Sequence, residues 1–292
     1  MSLEVQGAGS SEGNGSLGWR ERKQFLKDKL AELAAEIVTD PEKLKAFAER
    51  WRGGFRAYSL YNLALIWAQR PSATLCAGYH GWRKHGRHVK AGEKALWILA
   101  PAIFAAKGQG DKTEDEEEKV IHYFFPVPVF DYGQTDGQGL MIGNTQINGN
   151  GDVDIKAIAA AFNVPVEYSQ GVADGHTDGR KIVISKRESK AQETACFFHE
   201  LAHVLLKHVG DRLPSGVSRD VQELEAESTA YLVAACLGID NEGAKFYLGN
   251  WAGQESRDKL AKSALRILST AEKILRKAKP EAFGQRLAVD SN

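Results

Sequence analysis

The chain has 292 residues, 43% hydrophobic and 26% charged, with 38 Lys plus Arg set against 38 Asp plus Glu. Such a composition excludes wholesale disorder and a membrane-embedded protein, and the length suffices for two cores. A neutral total speaks against a broad positive field, although a sum can conceal a local excess. Cys76, Cys196 and Cys236 are far apart and form no CxxC pair, so neither a disulfide framework nor a Cys-ligated zinc site is expected. No window approaches the roughly 18 consecutive apolar residues of a membrane span, and the chain reads as cytoplasmic.

Residues 1–18 are dominated by Gly and Ser and read as a flexible tail. From Trp19 to Trp51 apolar residues recur at three- and four-residue intervals with a break at Asp40-Pro41, which predicts two amphipathic helices. A third helix is expected through Ser59–Trp67, stopped by Pro71. Ala95–Pro101 and Val120–Phe130 are rich enough in β-branched and aromatic residues to be strands. Between them the segment 108–119, six acids and one Lys over Asp111–Glu118, is expected as a solvated hairpin loop. Six glycines in Tyr132–Asp152 mark a linker. Beyond it the pattern predicts a helix at Asp154–Phe162, strands at Val164–Tyr168 and Lys181–Ser185, and a helix at Lys190–His208 opened by a Ser189-Lys190-Ala191-Gln192 capping box. Further helices are expected at Val221–Leu237 and Asp258–Ala278.

The most specific motif is His199-Glu200-Leu201-Ala202-His203. Helical positions i and i+4 share a face, so both imidazoles can reach one ion while Glu200 stands beside its open coordination position. Zinc in a hydrolytic site commonly takes two His and one Glu. Downstream, Glu223, Glu225 and Glu227 open an apolar helix. Glu223 and Glu227 are one turn apart on one face, so Glu223 is expected to ligate zinc and Glu227 to accept the other ring N–H of a ligating His, with Glu225 pointing elsewhere. Glu200 would then be the general base that activates a zinc-bound water against a peptide carbonyl. His208, Tyr231 and Tyr247 are suitable either as oxyanion donors or as structural residues. The Lys181–Ser185 strand is either an ordinary core strand or the edge on which an extended peptide adds.

Residues 51–100 hold eight Lys or Arg against one acid, Glu93, a local charge of +7. Interleaved with them are Trp51, Phe55, Tyr58, Tyr61, Trp67, Tyr79, Trp82 and Trp97. Cations that track phosphates and rings that stack on bases are what a single-strand binder needs, while a core role for the rings is the other reading.

The segments Tyr61–Ile66, Gln69–Thr74, Gly81–Lys94, Ile98–Pro101 and Val129–Thr135, taken in that order, resemble the N-terminal single-stranded-DNA-binding domain of ArdC-type antirestriction proteins. The His-Glu helix and the Glu223 helix resemble glutamate-zincin metallopeptidases, and more closely the zincin-like domains of the ImmA/IrrE group and of ArdC-type proteins. The segment Val204–His208 after the motif is nearer the ImmA/IrrE form. This resemblance implies an α+β fold with three parts: the tail at 1–18, a DNA-binding α+β domain at 19–145, and a mostly helical zincin-like domain with a small sheet at 146–292. It implies Tyr61, Asn62, Trp82, Arg87, Lys90 and Lys94 as DNA contacts, with internal roles open for Trp82 and Asn62. Two functions remain open at this point: a zinc metallopeptidase acting on a protein or peptide at single-stranded DNA, or a non-proteolytic antirestriction or DNA-protection protein with a structural zinc.

Overall fold

The computed structural model describes residues 18–55, 57–105, 119–138, 153–170, 175–186, 189–209, 217–239 and 257–284. The Gly/Ser tail before Gly18, nearly all of the acidic segment, and residues 139–152 of the glycine-rich stretch lie outside the described residues. Helix α1 (Trp19–Thr39) gives way at Asp40 to α2 (Pro41–Arg50). Asp40 Oδ1 accepts from the Glu42 and Lys43 N–H groups at 3.0 and 3.2 Å, and Pro41 occupies the first helical position, where a missing N–H is harmless. A π-helical turn, Trp51–Phe55, follows. Ser59 then caps α3 (Leu60–Gln69), its Oγ accepting from Asn62 N–H at 3.2 Å.

Three short elements that the sequence pattern does not announce come next: β1 (Cys76–Ala77), α4 (Tyr79–Lys84) and β2 (Arg87–Val89). The two expected strands form one antiparallel hairpin, β3 (Leu96–Ala105) with β4 (Lys119–Asp131), and β1 pairs with the end of β4 to give the order β1-β4-β3. Pro126 and Pro128 fall before the stretch of β4 that pairs with β1, where among the described residues only β3 lies beside it, a position that tolerates a residue without an N–H.

The glycine-rich stretch is structured at its start. After a 3-10 turn, Tyr132–Gln134, strand β5 (Thr135–Gly137) pairs antiparallel with β2. Asp131, 3% exposed, organises this corner. Its Oδ1 accepts from Thr74 and Leu75 N–H at 2.7 and 3.2 Å, and its Oδ2 from Gly133 N–H at 3.0 Å.

The second half runs α5 (Ile155–Ala161), β6 (Val166–Ser169), β7 (Gly175–Thr177), β8 (Ile182–Ser185), α6 (Lys190–Leu206), α7 (Arg219–Leu237), α8 (Arg257–Ala278) and α9 (Pro280–Gly284). Its sheet has the order β6-β8-β7, with β6 parallel and β7 antiparallel to β8. The fold is thus α+β, with a helical C-terminal part built around a small sheet. One contiguous cluster of buried side chains runs from Leu26 and Ile37 of α1 through Leu63 of α3 and Ile98 of β3 to Ile184, Phe198, Leu232 and Leu268. Helix α8 packs on both α1 and α7. Two polar ties join the same elements: Glu272 accepts from Leu60 N–H at 2.9 Å, and the Tyr61 hydroxyl donates to Leu265 O at 2.7 Å. Among the described residues no helix is long and apolar enough to cross a membrane.

An Asp131→Ala substitution leaves three N–H groups without their acceptor. It should cost about 3 kcal/mol of stability, read as a lower urea midpoint at unchanged m-value.

Candidate metal centre and nucleic-acid interface

Helix α6 starts at Ser189, whose Oγ accepts from Gln192 N–H at 3.4 Å, and it buries Phe197, Phe198, Leu201 and Ala202. With those positions turned to the core, the i, i+4 pair His199 and His203 lies against α7. Their Nε2 atoms are 3.0 Å apart, and Glu223 Oε2 is 3.5 Å from each. These three donor atoms lie within 4.8 Å of one another. Ligand atoms held roughly 2.0–2.2 Å from a tetrahedral ion are separated by about 3.3 Å, so the donor set fits a divalent cation.

The electrostatics sort the two imidazoles. Burial opposes a charge on His199, but the carboxylates of Glu223 and Glu227 outweigh it and raise its pKa to about 9. For His203, burial and then the neighbouring His199 charge act together and lower the pKa to about 4, so this ring is neutral with a lone pair to offer. The Glu223 carboxylate accepts from His199, which holds it below the usual carboxylate range. Burial pushes Glu200 upward, against the pull of the His199 charge. Glu227 Oε2 stands 2.9 Å from His199 Nδ1, on the same helical face as Glu223.

Glu225 turns the other way, and its Oε2 meets His208 Nε2 at 2.9 Å inside the core. His208 is therefore remote from solvent, packed behind His203, and Tyr231, 3% exposed, lines a separate cavity with Lys45, Glu49 and Arg52. Tyr247 lies outside the described residues. Strand β8 is the middle strand of its sheet, paired on both sides, so it has no free edge for a peptide. The strand beside the motif helix is β7. A Cβ on Gly175 would come within 2.5 Å of Cys196 Sγ and 3.3 Å of Glu200 Cγ, so glycine there lets β7 lie close to α6. From β7, exposed His176 acts electrostatically on Glu200. Nothing in the glycine-rich surroundings of His176 signals this placement.

Of the six residues expected to contact DNA, Trp82, Asn62, Arg87, Tyr61 and Lys90 all have side-chain polar atoms engaged within the fold. Trp82 is fully buried and its indole N–H donates to Phe130 O at 2.9 Å. Asn62 bridges α3 to β3, donating to Leu99 O and accepting from Leu99 N–H, both at 2.9 Å. Arg87, 6% exposed, donates from Nε to Thr135 Oγ1 and from Nη2 to Thr135 O, both at 2.8 Å, and lies 4.0 Å over the Tyr132 ring. Tyr61 makes the bond to Leu265 already described. Lys90 is half-buried, donating to Gly133 O at 3.1 Å, and Lys94 is exposed. The outward face of this region is instead formed by Tyr79, His80, Arg83 and Lys84 of α4, with His85 and His88 after it, all exposed.

Residues 28–130 match the family model for the N-terminal domain of anti-restriction factor ArdC. An uncharacterized protein of Bacillus anthracis, pXO2-81, is 26% identical over 310 residues, covering 87% of this chain and 52% of that protein. The chain thus spans about half the length of the curated relative it matches. Among solved structures, the metal-free crystal structure of the antirestriction ArdC protein from the R388 plasmid matches with a TM-score of 0.53 and 19% identity, over 87% of this chain and 98% of that one. The Mn(II)-bound structure of that protein gives 0.51 and 18%, over 88% and 97%. At that level of identity the likeness is one of fold.

Asn62→Ala should lower stability by about 2 kcal/mol, because both Leu99 backbone groups lose their partner. Thermal unfolding followed by circular dichroism measures it.

Proposed function

We propose that this chain, whose residues 28–130 match the N-terminal domain of anti-restriction factor ArdC, is an ArdC-type protein that binds single-stranded DNA and carries a zinc-dependent peptidase centre in its C-terminal half. One observation carries the reading: two imidazole nitrogens and a carboxylate converge at ion-ligand spacing beside a buried glutamate. His199, His203 and Glu223 would hold the ion, a donor set suited to zinc. A divalent cation held there supplies Lewis acidity, lowering the pKa of a water towards about 7 and polarising a carbonyl.

The remaining work falls to side chains of this chain. Glu200, whose burial raises its proton affinity, accepts the proton of the attacking water and returns it to the leaving amine. Glu227 orients the His199 ring through Nδ1. An extended peptide would lie along β7, the edge strand next to α6 among the described residues, adding main-chain hydrogen bonds to it. DNA would engage the exposed α4 face, where Arg83 and Lys84 meet phosphates and Tyr79, 45% exposed, stacks on a base.

Glu200→Gln should reduce peptide cleavage by at least about a thousandfold while one zinc per chain is retained. Retention of full biological activity by that variant would instead favour the non-proteolytic reading, with zinc in a structural role. For the DNA face, the double variant Arg83→Ala/Lys84→Ala should weaken binding and reduce the slope of log K against log salt by about 1.4, measured by fluorescence anisotropy over a salt series. An unchanged slope would remove α4 from the interface.

A further inference from the structure

Helix α6 ends at Lys207, a non-glycine residue in the left-handed region with φ of 61°. This turn lets His208 N–H donate to His203 O at 2.9 Å and folds the His208 ring back beside that of His203, with centroids 5.1 Å apart. A chain of contacts follows. His203 Nδ1 is 3.1 Å from His208 Nδ1, and His208 Nε2 is 2.9 Å from Glu225 Oε2. Arg266 Nη1 is 3.2 Å from the same oxygen, while Arg266 Nη2 donates to Leu206 O at 2.8 Å. The side chains of His208 and Glu225 are 0% and 1% exposed.

With His203 Nε2 as a metal donor, one arrangement of protons satisfies every link. His203 Nε2 faces His199 and Glu223, so as a metal donor it must carry a lone pair, and the ring proton then sits on Nδ1. The acceptor for that proton is His208 Nδ1, which puts the His208 proton on Nε2, where the Glu225 carboxylate accepts it. Arg266 balances the carboxylate. Reversing His203 sets lone pair against lone pair at the Nδ1–Nδ1 contact and puts a proton on the donor nitrogen, and reversing His208 sets N–H against N–H there and a lone pair against the Glu225 carboxylate.

We infer that His208, Glu225 and Arg266 form a buried hydrogen-bond relay that holds His203 in its Nδ1-protonated tautomer with Nε2 directed at the metal position, making them positioning residues for metal capture. The inference rests on the proposed His199, His203 and Glu223 donor set. An apolar side chain at 208 could fill the same space without burying an ionic chain. What the relay adds is direction and tautomer, which apolar packing does not specify.

The test compares the full-length chain with His208→Gln and His208→Met, two side chains of nearly equal size. Glutamine can accept from His203 Nδ1–H and donate to Glu225; methionine offers at most a weak sulfur acceptor and no donor. Zn(II) affinity, measured by competition with a chromophoric chelator, should fall roughly 10- to 100-fold in H208M and stay within about threefold of wild type in H208Q. Nitrogen-15 NMR of the zinc-loaded wild type should show the His203 proton on Nδ1 and the His208 proton on Nε2, a readout that needs no variant to fold. Equal affinities for H208M and wild type, an H208Q as weak as H208M, or a His208 proton on Nδ1 would each overturn the relay. A wild-type protein that binds no zinc would overturn the donor set first, and the relay with it.

Discussion

The angular advance of one helix sets the terms for the site. Helix α7 turns about 100° per residue, so glutamates at 223 and 227 share a face while the glutamate at 225, between them, is turned well away. Packed on α6, the first pair meets His199 and the third meets His208. A rotation of α7 by one residue would take carboxylates away from both rings together. The rotation is fixed by apolar residues on both helices, including Phe198, Leu201, Leu224 and Leu232, all buried in the common core. The polar geometry of the site is therefore a consequence of hydrophobic packing, and its electrostatics follow from how unevenly the carboxylates are shared. His199, with two of them, is raised to about 9, while His203, buried beside a charged neighbour, is lowered to about 4.

Much of this arrangement is legible in local sequence because it depends on local spacing. Asp40-Pro41, Ser59 and Ser189 announce helix starts through groups two or three residues away. The i, i+4 histidines and glutamates need no knowledge of the fold to be placed on common faces. The hairpin β3–β4 is equally visible in its β-branched and aromatic run. Illegible are the elements made by distant pairing. Strand β2 has three residues and exists through β5, some fifty residues on, and α4 has no side-chain cap to mark its start. His208 lies five residues beyond His203, off the helical period, and reaches it through the left-handed turn at Lys207.

The interleaving of cations and rings in the first half shows why composition misplaces residues that lie inside. A guanidinium on a DNA-facing surface and one wrapped by distant backbone oxygens look alike in a short window. Arg87 is of the second kind, enclosed by Thr135 and stacked on Tyr132, and Arg70 approaches buried Asp131 at 3.7 Å. The local excess of +7 therefore overstates the charge available outside, which is concentrated around α4 and the turn into β2. Neutrality of the whole chain and a basic patch on one face are compatible on those terms.

Helix α8 belongs to the second half by sequence and to both halves by packing, since α1 and α7 lie against it and Glu272 caps the start of α3. The glycine-rich segment in mid-chain thus joins two parts that share a wall. The same consideration bears on how such proteins can diversify. A recombination that kept the upstream helices and replaced everything downstream would strip the apolar side of α1, so the incoming sequence would have to bring an equivalent last helix with it. Exchange of either half alone would therefore have to preserve the packing surface of a single late helix.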